Sequence, residues 1–398
     1  MFKLKIGVLA TAAAGLVLMA STAFAGPTWT FGPEDEGLMK LEYKGQFQLD
    51  YRDTGAGAQG DDDTSEFNFR RNRIALMAAY EGLGLYFQTE YNEDNNINSF
   101  DVSDGNGSDF RVIDAQIRYK FNDAVQIRLG KYKYNFTREN LEACEAPLTL
   151  DRSLMIRAPF VATRDKGVTL WGNLFDGVFQ YRLDAMNGRN DSTSSPDSNF
   201  RYGARAHVTL LDGEKGYGYK GTYMGKKKVI TLGGAYQMEQ DIAYGDCANQ
   251  DDAVDYKGWT VDLFAEYPVE DIGTFTFSTA YVDYDFDDDY DFDDAFKGID
   301  PDSGVIGLNG EKNGGYTKIA YMMPDTPLQF FVRAENWSFA QLDSVYDQEI
   351  DWYGGGVNYY FRGQNLKLTL EYSTVEYDTE TKAVEDFDTL TAQIQVIF

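Results

Sequence analysis

Histidine and cysteine are nearly missing from this chain of 398 residues. One histidine, His207, and two cysteines, Cys144 and Cys247, are present. A metal centre built from several imidazoles is thereby excluded, and no Cys-x-x-Cys-His stretch offers a haem attachment point. No glycine-rich loop of the kind that cradles phosphate occurs. No serine or acid partner for His207 can be identified. The reading is therefore of a protein that is not an enzyme and takes no cofactor. Proline is scarce, at nine residues, and no Pro- or Ser-rich linker divides the chain. Beyond the N-terminus no run of about 18 apolar residues occurs, so no helix is expected to span a membrane. Lysine and arginine number 36 against 64 acids, a formal charge of −28, which leaves no basic surface excess for nucleic acid.

The N-terminus reads as an export signal. Lys3 and Lys5 precede an apolar run from Ile6 to Met19, and Ala23-Phe24-Ala25 has the small-x-small form of a cleavage site. Residues 1–25 are expected to be removed, which takes the charge to about −30. A short periplasmic segment, 26–37, and one domain over 38–398 are expected after it. That domain is rich in rings, 28 Tyr and 27 Phe, in a chain whose mean hydropathy is only −0.44. Aromatic girdles at two membrane interfaces account for such a combination.

The last residues show the pattern that organises the rest. Leu390, Ala392, Ile394, Val396 and Phe398 alternate with Thr391, Gln393 and Gln395. A strand with period two has two environments on its two faces. Sixteen such segments are read: Leu38–Arg52, Ser65–Tyr80, Leu83–Asn92, Phe110–Phe121, Ala124–Lys133, Asp165–Leu174, Val178–Asn187 and Phe200–Leu210 in the first half. Lys226–Gln240, Tyr256–Tyr267, Thr274–Asp285, Lys312–Met323, Leu328–Phe339, Ile350–Phe361, Asn365–Tyr377 and Asp386–Phe398 make the second. Their connections alternate between short turns such as Glu81-Gly82 and Asn122-Asp123 and longer, mostly acidic loops such as 93–109, 134–164 and 286–311. This predicts an all-β transmembrane antiparallel barrel with short periplasmic turns and long external loops. Residues 211–225 break the rule, being long on the short-turn side, and mark either a long turn or a miscounted strand pair.

Assigning the apolar parity to lipid fixes the register. Leu41, Tyr43, Phe47 and Leu49 then face out while Glu42, Lys44, Gln46, Gln48 and Asp50 face in. Ile113, Ala115, Ile117 and Tyr119 face out while Asp114, Gln116 and Arg118 face in. A charge at the bilayer midplane costs about 2–4 kcal/mol, so a one-residue slip is forbidden. The interior so defined is polar, and a barrel of about 16 strands is wide enough to hold water.

Fourteen of the seventeen arginines lie between Arg70 and Arg205. By parity Arg71, Arg73, Arg118, Lys120, Arg128, Arg182, Arg201 and Arg205 face the interior along one wall, where they either guide anions or pair with acids and stiffen the barrel. The loop 134–164 carries Glu139, Glu142, Glu145 and Asp151 beside Arg138, Arg152, Arg157 and Arg164, and is expected to fold inward and narrow the bore. Cys144 and Cys247 fall in two external loops, where an exported protein can pair them. Eight aspartates in residues 283–294, with Asp287, Asp288 and Asp289 at the centre, form a solvated acidic loop with at most weak divalent binding.

Several stretches carry a resemblance. Phe67-Asn68-Phe69-Arg70-Arg71-Asn72-Arg73-Ile74-Ala75-Leu76 resembles the second-strand signature of the phosphate-selective porin O and P family. Asp114-Ala115-Gln116-Ile117-Arg118-Tyr119-Lys120, the stretch Val125 to Lys133, and Leu148 to Met155 are similar to its later segments. The resemblance implies a 16-strand trimeric outer-membrane porin in which lumenal arginines, here Arg71, Arg73, Arg118 and Arg128, guide anions. Phosphate-specific members add lysines near the mouth; this chain has acidic loops instead. The reading is thus a bacterial outer-membrane channel for passive diffusion of small hydrophilic or anionic solutes, in contact with lipid. A barrel sheathing a redox protein for electron transfer across the membrane is the other reading.

Overall fold

A computed structural model describes residues 26–57, 60, 62–91, 110–189, 195–246, 249–286, 310–342, 345–381 and 385–398. A four-residue strand, β1 (Thr28–Phe31), precedes sixteen longer ones. These are β2 (Gly37–Ala56), β3 (Asp62–Tyr80), β4 (Leu83–Tyr91), β5 (Phe110–Lys120), β6 (Gln126–Tyr132), β7 (Asp165–Leu174), β8 (Phe179–Met186) and β9 (Arg201–Leu211). The second half holds β10 (Val229–Asp246), β11 (Asp251–Val269), β12 (Gly273–Phe286), β13 (Lys312–Met322), β14 (Leu328–Leu342), β15 (Val345–Gln364), β16 (Leu366–Tyr377) and β17 (Phe387–Ile397).

Each of β2–β17 pairs antiparallel with its sequence neighbours, and β17 returns to β2 through pairs running from Thr389–Arg52 to Ile397–Lys44. The sheet is therefore a closed 16-strand barrel with no free edge. β1, within residues 26–37, adds to the start of β2, Thr28 opposite Lys40. All sixteen expected strands are present, and residues 212–228 form one long connection rather than a missed strand pair.

The outward face carries the apolar band. Phe67, Ile74, Leu85, Ile117, Leu129, Leu183, Leu232, Val261, Ile319 and Val332 are exposed there, while Gln48, Arg73, Gln88, Arg182, Thr231, Lys318, Asn358 and Gln393 are buried inside. Toward the long-loop end the polarity inverts. On β12, Phe275 is exposed outward near the turn, whereas Val282, Tyr284 and Phe286 are buried inward and Asp285 is exposed outward. On β14, Phe330 and Val332 point out and Trp337 and Phe339 point in. The inversion is what a strand does on leaving hydrocarbon for water, where the wet outer face takes the charges and the inner face becomes a core. The interior is thus not uniformly polar as the parity rule alone implied.

Two local breaks in register alter which side chains turn inward. β2 and β3 slip between Gln46 and Phe47, so that Arg70 is an extra residue in β3. β4 and β5 slip between Gln88 and Thr89, leaving Ile113 as the extra residue in β5. A bulge adds one residue to one strand and re-aims the side chains around it. Ile113, expected to face lipid, is buried instead, and Arg111 comes to line the interior.

Candidate pore and basic chamber

The bore is occupied by two segments entering from opposite ends. The connection between β6 and β7 dips inward, forming one helical turn, α1 (Arg138–Leu141), whose N-cap Thr137 Oγ1 accepts from Asn140 N at 3.0 Å. It then crosses to the far wall. Lys44 of β2 donates to Glu145 at 2.6 Å and Lys318 of β13 to Glu139 at 2.5 Å. Asn358 of β15 donates to the Leu148 carbonyl at 2.9 Å, and Leu150 N donates to Glu371 of β16 at 2.8 Å. The connection thus lies against inward-facing residues of β2, β13, β15 and β16.

From the short-turn end, residues 212–228 rise to meet it. Tyr219 N donates to the Leu141 carbonyl, Ala143 N to the Tyr219 carbonyl and Gly221 N to the Ala146 carbonyl, at 3.2, 3.2 and 2.9 Å. Arg138 grips Glu214 with both terminal nitrogens, at 3.0 and 2.9 Å. Tyr217 and Tyr219 are buried with Tyr132, Phe136, Trp171 and Tyr256 in one apolar cluster. Together the two segments fill the side of the bore bounded by β7–β11.

What stays open lies against β2–β6 and β14–β17, on the long-loop side of the crossing segment. It is a chamber of about 220 Å³. Arg70, Arg71, Arg73, Arg111, Lys131, Arg152, Arg157, Arg164 and Arg333 line it, against four acids, Asp50, Glu90, Asp151 and Glu371. Each acid is held. Asp151 takes Arg70 and Arg71 at 2.7 and 2.9 Å, Glu90 takes Arg73 at 2.5 Å, and Asp50 accepts from Asn68 and Thr391. Glu371 faces Arg333 at 3.5 Å. Two more acids stand behind the lining, Asp114 on Arg164 and Glu335 on Arg333. Nine cations still exceed six anions, in a chain whose net charge is −28. Burial opposes ionisation of the Asp151 carboxyl, but Arg70 and Arg71 outweigh it and hold Asp151 well below the usual carboxylate range.

A model of the family described as phosphate-selective porin O and P matches residues 41–227 and 309–398. The chain belongs to that family. An uncharacterized protein of Aquifex aeolicus (strain VF5) is 22% identical over 394 residues, covering 90% of this chain and 87% of that one. Among solved structures, the anion-selective porin from Comamonas acidovorans superposes with a TM-score of 0.55 at 11% identity, covering 91% of this chain and 100% of that one. The trimer form of in-vitro folded OmpT from Vibrio cholerae gives 0.53 at 12% identity, covering 91% and 99%. At these identities the structures share the fold.

In this porin the expected basic wall is split into three environments. Arg71 and Arg73 line the chamber, and Arg152 of the inward loop joins them. Arg118 and Arg128 sit below, toward the short-turn end, where a hollow is lined by both with Gly84, Trp171 and Tyr217. Arg128 stacks on Tyr217 at 3.4 Å. Lys120, taken from the sequence as a bore residue, stands at the rim and binds Asp123 at 2.5 Å, its side chain 55% exposed.

Arg182, Arg201 and Arg205 point inward as parity required but do not line the chamber, because the two inserted segments cover them. Arg182 donates to Gln180 and lies over Tyr217 and Tyr219. Arg201 pairs with Glu239 and Arg205 with Asp262, both at 2.7 Å. Arg201 and Arg205 are thus each held by an acid, and Arg182 by an amide and two rings. The loop acids are likewise spread out: Glu142 lies 3.7 Å from Arg138, and Glu139 and Glu145 bind the lysines named above. Arg70, Arg111 and Lys131 line the chamber against the parity rule, the first two because bulges place them, whereas Arg333 obeys parity but lies outside the arginine-rich stretch 70–205.

Cys144 is a buried free thiol, 3.4 Å from Lys133 Nζ. Burial pushes the thiol up, while Arg152, Lys133 and Arg73 outweigh it and hold it well below its ordinary range. Cys247, its expected partner, lies outside the described residues, as do Asp287, Asp288, Asp289 and the signal segment 1–25. His207 Nδ1 meets Tyr219 OH at 2.6 Å inside the filled half of the bore.

Proposed function

We propose that this chain is a bacterial outer-membrane porin, assembled as a homotrimer, through which small hydrophilic solutes diffuse with a preference for anions. The short-turn end faces the periplasm and the long acidic loops face outward. The surplus of cations in the chamber is the observation that carries the preference. A cationic, partly desolvated constriction lowers the barrier for anions and raises it for cations. The lower arginines, Arg118 and Arg128, extend the same sign toward the periplasmic mouth. The trimeric form of the OmpT structure supports the assembly state. Two of the chain's own segments occupy the bore, which favours a narrow conduit over a sheath around a second protein.

Planar bilayers test this directly. With Arg71, Arg73, Arg118 and Arg128 replaced by Gln, the reversal potential in a potassium chloride gradient is expected to move toward the cation side. An unmoved potential would refute the role of these arginines.

A further inference from the structure

The chamber carries more than charge. Between its arginines stand Ile113, Leu150, Leu154, Ile156 and Trp352. An apolar wall gains nothing from an inorganic anion, whose hydration it strips without replacement. It does gain from an apolar body on the solute, through area removed from water. One guanidinium nitrogen in this lining, Arg152 Nε, is buried without a hydrogen-bond partner, in a residue only 7% exposed, whereas the Arg333 guanidinium is already held by Glu335 and Glu371. A carboxylate satisfies such a donor with a charge-assisted bond. Arg333 also lies over the Trp352 ring at 3.8 Å, placing charge and aromatic surface side by side. The size fits: a cavity of ~150 Å³ accepts benzene, and this one measures about 220 Å³.

Resting on the porin reading above, we propose that the chamber is a binding site for organic carboxylates with an apolar body, aromatic acids of benzoate size in particular. Such a solute sets its carboxylate on Arg152 and its ring against Leu154, Ile156 and Trp352. It dwells in the bore, where a chloride ion passes.

Chloride current through the purified native porin is recorded in planar bilayers with benzoate, acetate or inorganic phosphate added at equal ionic strength. Benzoate is expected to interrupt the current at concentrations about tenfold or more below those needed for acetate, as burial of one ring implies. Leu154→Ser and Ile156→Ser should each narrow that gap. Equal block by benzoate and acetate, in a channel that still prefers chloride to potassium, overturns the site and leaves the porin reading standing. A channel without chloride preference overturns the selectivity reading, and this proposal with it.

Discussion

Arg138 and Glu214 enter the barrel from opposite ends and meet inside it, two guanidinium nitrogens on two carboxylate oxygens at 3.0 and 2.9 Å. Thr231 and Tyr223 also donate to the same carboxylate. Burial pushes Glu214 up, and Arg138 overrides it, holding the carboxyl at about 2. Removing one partner of a buried pair costs about 3–5 kcal/mol, because the other charge is left uncompensated. Glu214→Leu is therefore expected to lower the midpoint of urea unfolding, read by tryptophan fluorescence. The double variant with Arg138→Leu should recover much of the loss, since replacing both partners removes the orphan charge.

At Gly221 the backbones of the two inserted segments touch, Gly221 N donating to the Ala146 carbonyl at 2.9 Å. A Cβ there would stand 2.4 Å from Leu148 N and 2.9 Å from Pro147 C, and neither backbone atom can swing aside. Gly221→Val is expected to part the turn from the loop without touching any barrel strand. Single-channel conductance should rise, and the barrel should keep its folded mobility on unheated gels. Conductance unchanged from the native channel would show that this contact does not close the filled half of the bore.

The barrel is readable because its rule is local. Alternation of two solvents acts on each residue in turn, and it delimits Asp165–Leu174 to the residue. On β10, β11, β14 and β15 the strands run further at the long-loop side than the alternation shows. β15 begins at Val345, not Ile350, because past the membrane both faces meet water or protein and the apolar parity reverses. The placement of the loops is only partly legible. The contact of Lys318 with Glu139 joins residues 179 apart, and no period reports such a pairing. Arg182, Arg201 and Arg205 obey parity and are still covered, because what covers them is decided by tertiary packing.

The bulge at Arg70 makes a sharper demand. Asn68 is buried and Phe69 faces out, then Arg70 and Arg71 both reach Asp151. Deleting Arg70 leaves Phe69 outward and Arg71 inward, a continuous alternation. Deleting Ile74 sends Leu76 into the bore and Ala75 to the lipid, and reverses every residue to Tyr80. The first deletion is expected to give a barrel with normal heat-modifiable mobility, and the second to fail to fold. Equal failure of both would show that the extra residue is required for closure.

Glu142 gives the crossing segment a pH dependence of the opposite sign to that of Glu214. Burial, and then the Glu139 charge, push the Glu142 carboxyl up to about 8. An unfolded glutamate titrates near about 4.3. Between these values the native state holds the proton and the unfolded state does not, so this group's contribution to stability falls as pH rises through the window. Glu214 is depressed instead, and its contribution is lost only in acid, below about pH 4. Of these two carboxyls only Glu142 changes charge from about pH 6 to 8, and its ionisation should loosen the loop on the alkaline side. Current noise from loop motion is expected to grow between about pH 7 and 9 in the native porin and to stay flat in Glu142→Gln, which keeps the neutral form throughout. If the variant shows the same rise as the native channel, the titration belongs to another group.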